Sequence, residues 1–306
     1  MKRVTSVRRH PKQGPLLTQA KGLMRQFGLK ARKGLGQHFL IDETVLQLIV
    51  SAAGLTRDDV IVEIGPGLGV LTRELARRAG QVIAVEIDNK LAAILRQALA
   101  PVNNVSIING DILNIDPADL SPELAEKLPA ATGRLFRYKV VANLPYYITS
   151  PALRHLLEAT VRPELMVVMV QKEVAETIAA RPGKMSLLSV SVQLYGEPYI
   201  VGLVPARCFY PEPEVDSAIL RINVYRQPPV AAENAPGFFR LVRAGFSAAR
   251  KQIVNSLALG LGLPRAEVSP LLEAAGIALQ RRAETLTIDE WIRLWQASAR
   301  PGEPAC

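Results

Sequence analysis

The run Asn143-Leu144-Pro145-Tyr146-Tyr147 sets a side-chain amide, a backbone carbonyl, a proline and an aromatic face side by side. An exocyclic amine conjugated to a purine is a poor nucleophile, because its lone pair is delocalised into the ring. Two acceptors that take its N–H bonds, the Asn143 amide oxygen and the Leu144 carbonyl, would favour a pyramidal amine and raise its reactivity toward a sulfonium methyl. Pro145 fixes the turn and biases Leu144 toward an extended conformation, and Tyr146 offers a face on which a base can stack. No strong general base is needed, since the amine can lose its proton after transfer.

Three further groups could hold a ligand beside that run. Glu63-Ile64-Gly65-Pro66-Gly67-Leu68-Gly69 is a glycine-rich turn in which Gly65 and Gly67 allow positive φ and a close approach to the backbone, with a helix N-terminus behind. Dinucleotide enzymes and S-adenosylmethionine (SAM) methyltransferases share such a turn. Val85-Glu86-Ile87-Asp88 follows at the distance where a strand-end carboxylate accepts ribose hydroxyls. Glu86 is favoured for this, since Asp88 falls where the next helix needs an N-cap. Asp111 in Gly110-Asp111 is either an acceptor for an adenine amino group or a turn residue bonded to a nearby N–H.

The elements that must position these groups alternate. Residues 44–53 have helical apolar spacing; 60–64 and 82–87 are apolar runs around a helix at 71–78. The pattern predicts a βαβ unit and hence a parallel sheet. Further helices are predicted over 91–99, in part of 117–133, and over 151–159 and 173–180. Strands are predicted at 105–108, 139–142, 165–170, 187–194, 199–204 and 217–224. The simplest assembly is an α/β fold with an open, doubly wound sheet of about seven strands and ligands at the strand carboxyl ends. Gln227-Pro228-Pro229 marks a linker, and helical periodicity at 238–246, 250–259, 266–275 and 288–296 predicts a small all-helical domain. The domain reading is a basic flexible arm over 1–31, an α/β domain over 32–226 and a helical domain over 227–306.

The net charge of +9 is unevenly spread: residues 1–41 carry ten Lys/Arg and no acid, leaving 27 basic against 28 acidic residues beyond. The arm reads as a nucleic-acid-contacting extension, with an organellar transit peptide as the alternative, and its removal is expected to leave cofactor affinity intact. Residues 240–300 hold nine Lys/Arg against five acids, so the helical domain shares the arm's sign. No run approaches the ~18 apolar residues of a membrane-spanning helix, and no secretory signal follows Lys2 and Arg3. Cys208 and Cys306 with three His supply neither a disulfide framework nor a metal site. The expectation is a cytoplasmic protein without a metal. Trp291 and Trp295, four apart on one helix, read as core.

With these residues in place, the chain resembles the bacterial 16S ribosomal RNA adenine dimethyltransferases of the KsgA/RsmA type over residues 32–298. The resemblance rests on Lys33-Gly34-Leu35-Gly36-Gln37-His38-Phe39-Leu40, the glycine turn, Glu86, Asp111, the Asn143 run, Gln171-Lys172-Glu173-Val174, Phe209-Tyr210-Pro211-Glu212-Pro213, and Val215-Asp216-Ser217-Ala218. The helical domain adds Phe246, Arg250-Lys251, Asn255-Ser256-Leu257 and Arg282-Ala283-Glu284. It implies a Rossmann-like SAM-dependent methyltransferase with a helical C-terminal domain, dimethylating two adjacent adenosines near the 3′ end of 16S rRNA within the small ribosomal subunit, as a monomer. By matching position, His38, Leu40, Gly65, Gly67, Glu86, Asp111 and Asn143 would contact SAM. Asn143, Leu144, Pro145 and Tyr146 would carry the transfer, Phe209 would face the flipped base opposite Tyr146, and Arg250 and Lys251 would meet RNA phosphates. Glu214, and the missing Tyr-Gly pair in 182–187, depart from the family pattern and bear on RNA contacts or loop length rather than on the reaction. A nicotinamide-dependent dehydrogenase shares the glycine turn but leaves the Asn143 run without a role. A 23S rRNA adenine methyltransferase and a non-catalytic assembly factor of the small subunit are the remaining alternatives.

Overall fold

The computed structural model describes residues 5–6, 14–29, 32, 36–120 and 137–298. In chain order the elements are β1 (Thr5–Ser6), α1 (Pro15–Gln26), β2 (Phe39–Leu40), α2 (Glu43–Ala53), β3 (Val60–Ile64), α3 (Val70–Ala76), β4 (Gln81–Glu86), α4 (Asn89–Leu99), β5 (Val105–Asn109), β6 (Lys139–Asn143), α5 (Thr149–Glu158), β7 (Leu165–Gln171) and α6 (Lys172–Ile178). There follow α7 (Leu187–Gln193), β8 (Gly196–Val204), β9 (Phe209–Tyr210), β10 (Ser217–Val224), α8 (Ala235–Phe246), α9 (Ile253–Leu261), α10 (Arg265–Ala274) and α11 (Ile288–Ser298). The chain forms two compact units, Met1–Ala175 with Tyr199–Val224, and Glu176–Pro198 with Tyr225–Cys306.

The main sheet has the order β1-β8-β10-β7-β6-β3-β4-β5. Every residue of β3 and β4 is buried, as expected of central parallel strands covered on both faces, whereas β5 at the edge is only partly covered. β3, β4, β5, β6 and β7 pair in parallel. The predicted parallel pairing holds across these five strands, and β10 runs antiparallel to β7, with Ser217 opposite Gln171. The chain enters β10 at the end where β7 stops, so no crossover is needed and the strand runs back. A second, two-stranded sheet pairs Phe39 with Tyr210 and Leu40 with Phe209. Helix α2, N-capped by the Asp42 carboxylate accepting the Val45 N–H, packs Ile49, Val50 and Ala53 into the core beneath β6 and β7.

The arm is not wholly an extension. Residues 15–26 form α1, with Pro15 in its first turn, and its Ala20 is fully buried. Leu17, Ala20, Leu23 and Met24, spaced at three and four, pack against Phe39, Ile41, Leu68 and Leu91. Lys21 lies over the Tyr210 ring, 5.2 Å from its centroid. Charge dominates the composition here, but the apolar stripe decides the structure. Residues 1–4, 7–13 and 30–31 of the arm, Lys33-Gly34-Leu35 of the first motif, and 121–133 of the partly helical stretch lie outside the described residues; Pro117–Leu120 is a short 3-10 helix.

The segment 187–194, expected as a strand, is helix α7. The Leu-Ser-Val-Ser-Val alternation mimics a strand, but Ser186 and Ser189 form a reciprocal capping box that starts a helix. The hydroxyl of Ser191 donates to the Leu187 carbonyl at 2.8 Å and that of Ser189 to the Thr177 carbonyl at 2.6 Å, so both serines are satisfied inside. Helix α7 packs on α8, and Tyr195 meets Phe239, which groups Glu176–Pro198 with the C-terminal helices rather than with the sheet. Within this second unit Trp291 is fully buried against Phe246, and a Cβ on Gly245 would come within 2.3 Å of the Trp291 ring. Trp295 packs edge-on to Phe238, so both tryptophans serve the core.

Candidate active site

A cleft of about 990 Å³, counted with its open mouth, crosses the carboxyl ends of β3, β4, β5 and β6 in the first unit. At the end of β3 the backbone turns through Gly65 (φ +65°) and Gly67 (φ +58°), and the Gly65 N–H donates to the Val85 carbonyl at 2.9 Å. A Cβ on Gly67 would sit 3.1 Å from the Phe39 ring, so the turn needs glycine for space as well as for φ.

Glu86 ends β4. One of its carboxylate oxygens accepts the Gly67 N–H at 3.2 Å and the other the Asp88 N–H at 2.9 Å, locking the glycine turn to the strand tip. Burial raises the Glu86 carboxyl above the usual range, and these two backbone donors oppose the rise. Asp88 N-caps α4, accepting from Lys90 and Leu91, and also takes Arg32 at 3.3 Å and the Gln37 amide at 3.5 Å. Glu86 thus lines the cleft, whereas Asp88 is taken up by the cap of α4. Asp111 lines the cleft and also accepts the Leu113 N–H at 3.0 Å, which is the turn role open to it.

At the tip of β6 the Asn143 amide nitrogen donates to the His38 carbonyl at 3.0 Å. A nitrogen committed in this way leaves the amide oxygen as the acceptor. The Leu144 N–H is likewise taken by the Met169 carbonyl at 3.1 Å, and Pro145 (φ −57°, ψ 129°) turns the chain into a 3-10 helix over Tyr146–Ile148. The His38 ring lies 5.9 Å from that of Tyr146 with 23° between planes, and its Nδ1 donates to the Pro211 carbonyl at 2.8 Å. Burial raises the Tyr146 phenol; it likewise raises that of Tyr147, which is half exposed at the rim.

His38, Leu40, Gly65, Gly67, Glu86, Asp111, Asn143, Leu144, Pro145 and Tyr146 are thus brought together on one cleft. Phe209 is not. It is 2 % exposed, paired with Leu40 and packed in the core, and it is not among the residues lining the cleft. Alternation along β9 turns Tyr210, rather than Phe209, to the partly exposed side. Arg250 and Lys251 are exposed, but in the turn between α8 and α9 and not on a helix, because α9 begins only at Ile253. No trio of metal-ligating side chains occurs among the described residues.

Two groups, one lining the cleft and one behind its wall, have no role in the motif reading. Glu63, 1 % exposed in an otherwise apolar strand, has an Oε2 without a hydrogen-bond partner among the described residues. Its carboxyl is pushed up to about 8 by burial and further by the neighbouring Glu86 charge; the Thr72 hydroxyl, which makes no well-aligned bond, offsets only part of this. Ser217 sits behind Tyr146, with its Oγ 2.6 Å from the phenol oxygen. A lone acid inside an apolar run was the available signal for the first; nothing in the sequence pairs Ser217 with Tyr146.

Among the described residues lining the cleft there are three acids, Glu86, Asp111 and the largely protonated Glu63, and no Lys or Arg. That field suits a cationic ligand and disfavours a pyrophosphate. An orphaned buried carboxyl oxygen, a glycine turn left tight by Phe39 at Gly67 and a strand-tip carboxylate fit a nucleoside that carries positive charge.

A family model described as ribosomal RNA adenine dimethylase matches residues 28–299. Among curated relatives, the ribosomal RNA small subunit methyltransferase A of Dehalococcoides mccartyi is 51 % identical over 90 % of this chain and 91 % of its own. That of Moorella thermoacetica is 48 % identical over 88 % and 93 %. Among solved structures, the 23S rRNA methyltransferase ErmE aligns with a TM-score of 0.66 and 31 % identity, covering 85 % of this chain and 98 % of that one. A dimethyladenosine transferase from Plasmodium falciparum shares the fold, with a TM-score of 0.67 at 23 % identity over 85 % and 96 %.

Proposed function

This chain belongs to the ribosomal RNA adenine dimethylase family, SAM-dependent enzymes of rRNA adenine methylation, and from that premise we propose that it dimethylates the N6 amino groups of two adjacent adenosines near the 3′ end of 16S rRNA in the small ribosomal subunit. The named function of its relatives at about half identity supports the choice of the small subunit. The single observation that carries the chemistry is the Asn143 amide, its nitrogen held by His38 so that its oxygen serves as acceptor at the cleft.

When bound, SAM supplies an electrophilic methyl on a sulfonium. Glu86 would accept its ribose hydroxyls, Gly65 and Gly67 would let its chain approach the backbone, and Asp111 would accept its adenine amino group, with His38 and Leu40 closing the near wall. The acceptor adenine must leave its stack to reach the cleft, and Tyr146 receives its face. The Asn143 oxygen and the Leu144 carbonyl accept the two N6–H bonds, turning the amine lone pair away from the ring and toward the methyl. The proton is lost to solvent after transfer, so neither a buried base nor a metal is required. Arg250 and Lys251 add phosphate contacts from the second unit. On this reading the chain works as a monomer in the cytoplasm; no helix among the described residues is long and apolar enough to cross a membrane.

Small-subunit particles from a strain lacking this methylation, incubated with the protein and labelled SAM, test the reading: label should enter 16S rRNA. The structural likeness to ErmE favours 23S rRNA as the second reading. Label in naked 23S rRNA with none in small-subunit particles would select it, and no transfer to either would leave a binding factor.

A further inference from the structure

Tyr146 can stack on an adenine only if its ring plane is held, and the terminal torsion of a tyrosine is broad by itself. Its neighbours on the chain do not hold it: Tyr146 opens a 3-10 helix at a partly exposed cleft wall. The His38 ring lies against the Tyr146 ring, 5.9 Å between centroids. The hydroxyl is held by Ser217 at 2.6 Å, a bond that fixes the tip of the ring and sets its plane through the in-plane preference of a phenolic O–H. Ser217 is fully buried and opens β10, opposite Gln171 in the antiparallel ladder to β7. The preceding residue is fixed on two sides. The Asp216 carbonyl accepts the Lys172 N–H at 3.0 Å, and its carboxylate accepts the Ala206 N–H at 2.9 Å. The Oγ that meets Tyr146 is therefore mounted on backbone tied to β7 and to the turn before β9. Ser217 does not line the cleft.

We propose that Ser217 is a positioning residue for methyl transfer, setting the Tyr146 ring plane against the acceptor base without touching either substrate. The proposal rests on the stacking role given to Tyr146 above. It separates two functions of the cleft: donor binding depends on the β3–β5 tips, whereas acceptor alignment depends on a hydroxyl pair joining the β6 tip to β10.

The test is a double-mutant cycle on the full chain, with small-subunit particles as acceptor and SAM affinity measured separately. Ser217→Ala should leave the SAM Kd within about twofold and lower kcat about tenfold, the scale of one lost hydrogen bond. KM for the particle should change little, since phosphate contacts dominate that affinity. Ser217→Thr, which keeps the hydroxyl, should restore kcat. Tyr146→Phe should lose a similar factor, and Ser217→Ala combined with Tyr146→Phe should be no worse than either alone. Multiplying losses in the double variant, or a SAM Kd that rises as much as kcat falls, would mean a general structural role and overturn the proposal. So would wild-type kcat in Ser217→Ala while Tyr146→Ala is impaired. Wild-type turnover in Tyr146→Ala would remove the stacking role itself, and the proposal with it.

Discussion

The Asn143 amide nitrogen and the His38 carbonyl, 3.0 Å apart, join the tip of β6 to the segment that enters β2. The bond decides which end of the amide is available for chemistry, and it makes a residue far along the chain part of the acceptor's geometry. Asn143→Ala removes the acceptor while leaving the glycine turn and Glu86 in place. The variant should bind SAM within a few-fold of wild type and lose roughly 10²–10³ in single-turnover methyl transfer, the range for one preorganised polar group. Unchanged turnover would contradict the role given to the amide.

Glu86 is expected to matter at the opposite step. Its carboxylate receives the Gly67 and Asp88 N–H groups and is proposed to take the ribose hydroxyls as well. Glu86→Ala should weaken SAM binding by about 1.5–3 kcal/mol, the scale of hydrogen bonds to a charged group. Calorimetric titration checks this, and an affinity equal to wild type would move the ribose site elsewhere.

Glu63 gives the empty protein a pH dependence of definite sign. Its folded-state pKa of about 8 exceeds the ordinary 4.5, so between those values the native state holds a proton that the unfolded chain has released. The stabilisation is fully present below about 4.5 and is lost as pH rises through 8, with a slope of ~1.4 kcal/mol per pH unit. Glu63→Gln should flatten the fall in denaturation midpoint between pH 5 and 8 relative to wild type. Parallel curves for the two proteins would show that the carboxyl is already ionised there.

Helix α1 revises the expectation that the basic arm is independent of the cofactor. Its buried Ala20 belongs to a cluster with Phe39, Leu68 and Leu91, all three of which line the cleft. Ala20→Glu should therefore raise the SAM Kd on the order of tenfold by displacing that wall. Gln19→Glu, on the exposed side of the helix, should not. Equal SAM affinities in the two variants, with weakened RNA binding, would restore the arm to a purely RNA-contacting role.

The sequence made the cleft legible where a strand tip and a turn are adjacent in the chain. Glu86 and Asp88 separate by position alone into a strand-end carboxylate and a helix cap, and the structure places them so. Asn143 was legible for the same reason. What pattern reading missed depends on partners remote in sequence or on competing local signals. Ser217 and Tyr146 meet only because β10 returns antiparallel to β7. Phe209 looked like a cleft aromatic, but alternation along β9 and pairing with Leu40 direct it into the core. In α7 a period-two apolar pattern was outweighed by a serine capping box, and in α1 the positive charge hid an apolar stripe at helical spacing.

The central claim is that this chain modifies adenosines of 16S rRNA. Nucleoside mass spectrometry of 16S and 23S rRNA, purified separately from a strain deleted for this protein and from its complemented parent, tests it most directly. The account predicts that N6,N6-dimethyladenosine disappears from 16S rRNA in the deletion strain, returns with the wild-type chain, and fails to return with Asn143→Ala. Dimethyladenosine retained in 16S rRNA, or lost from 23S rRNA instead, would contradict it.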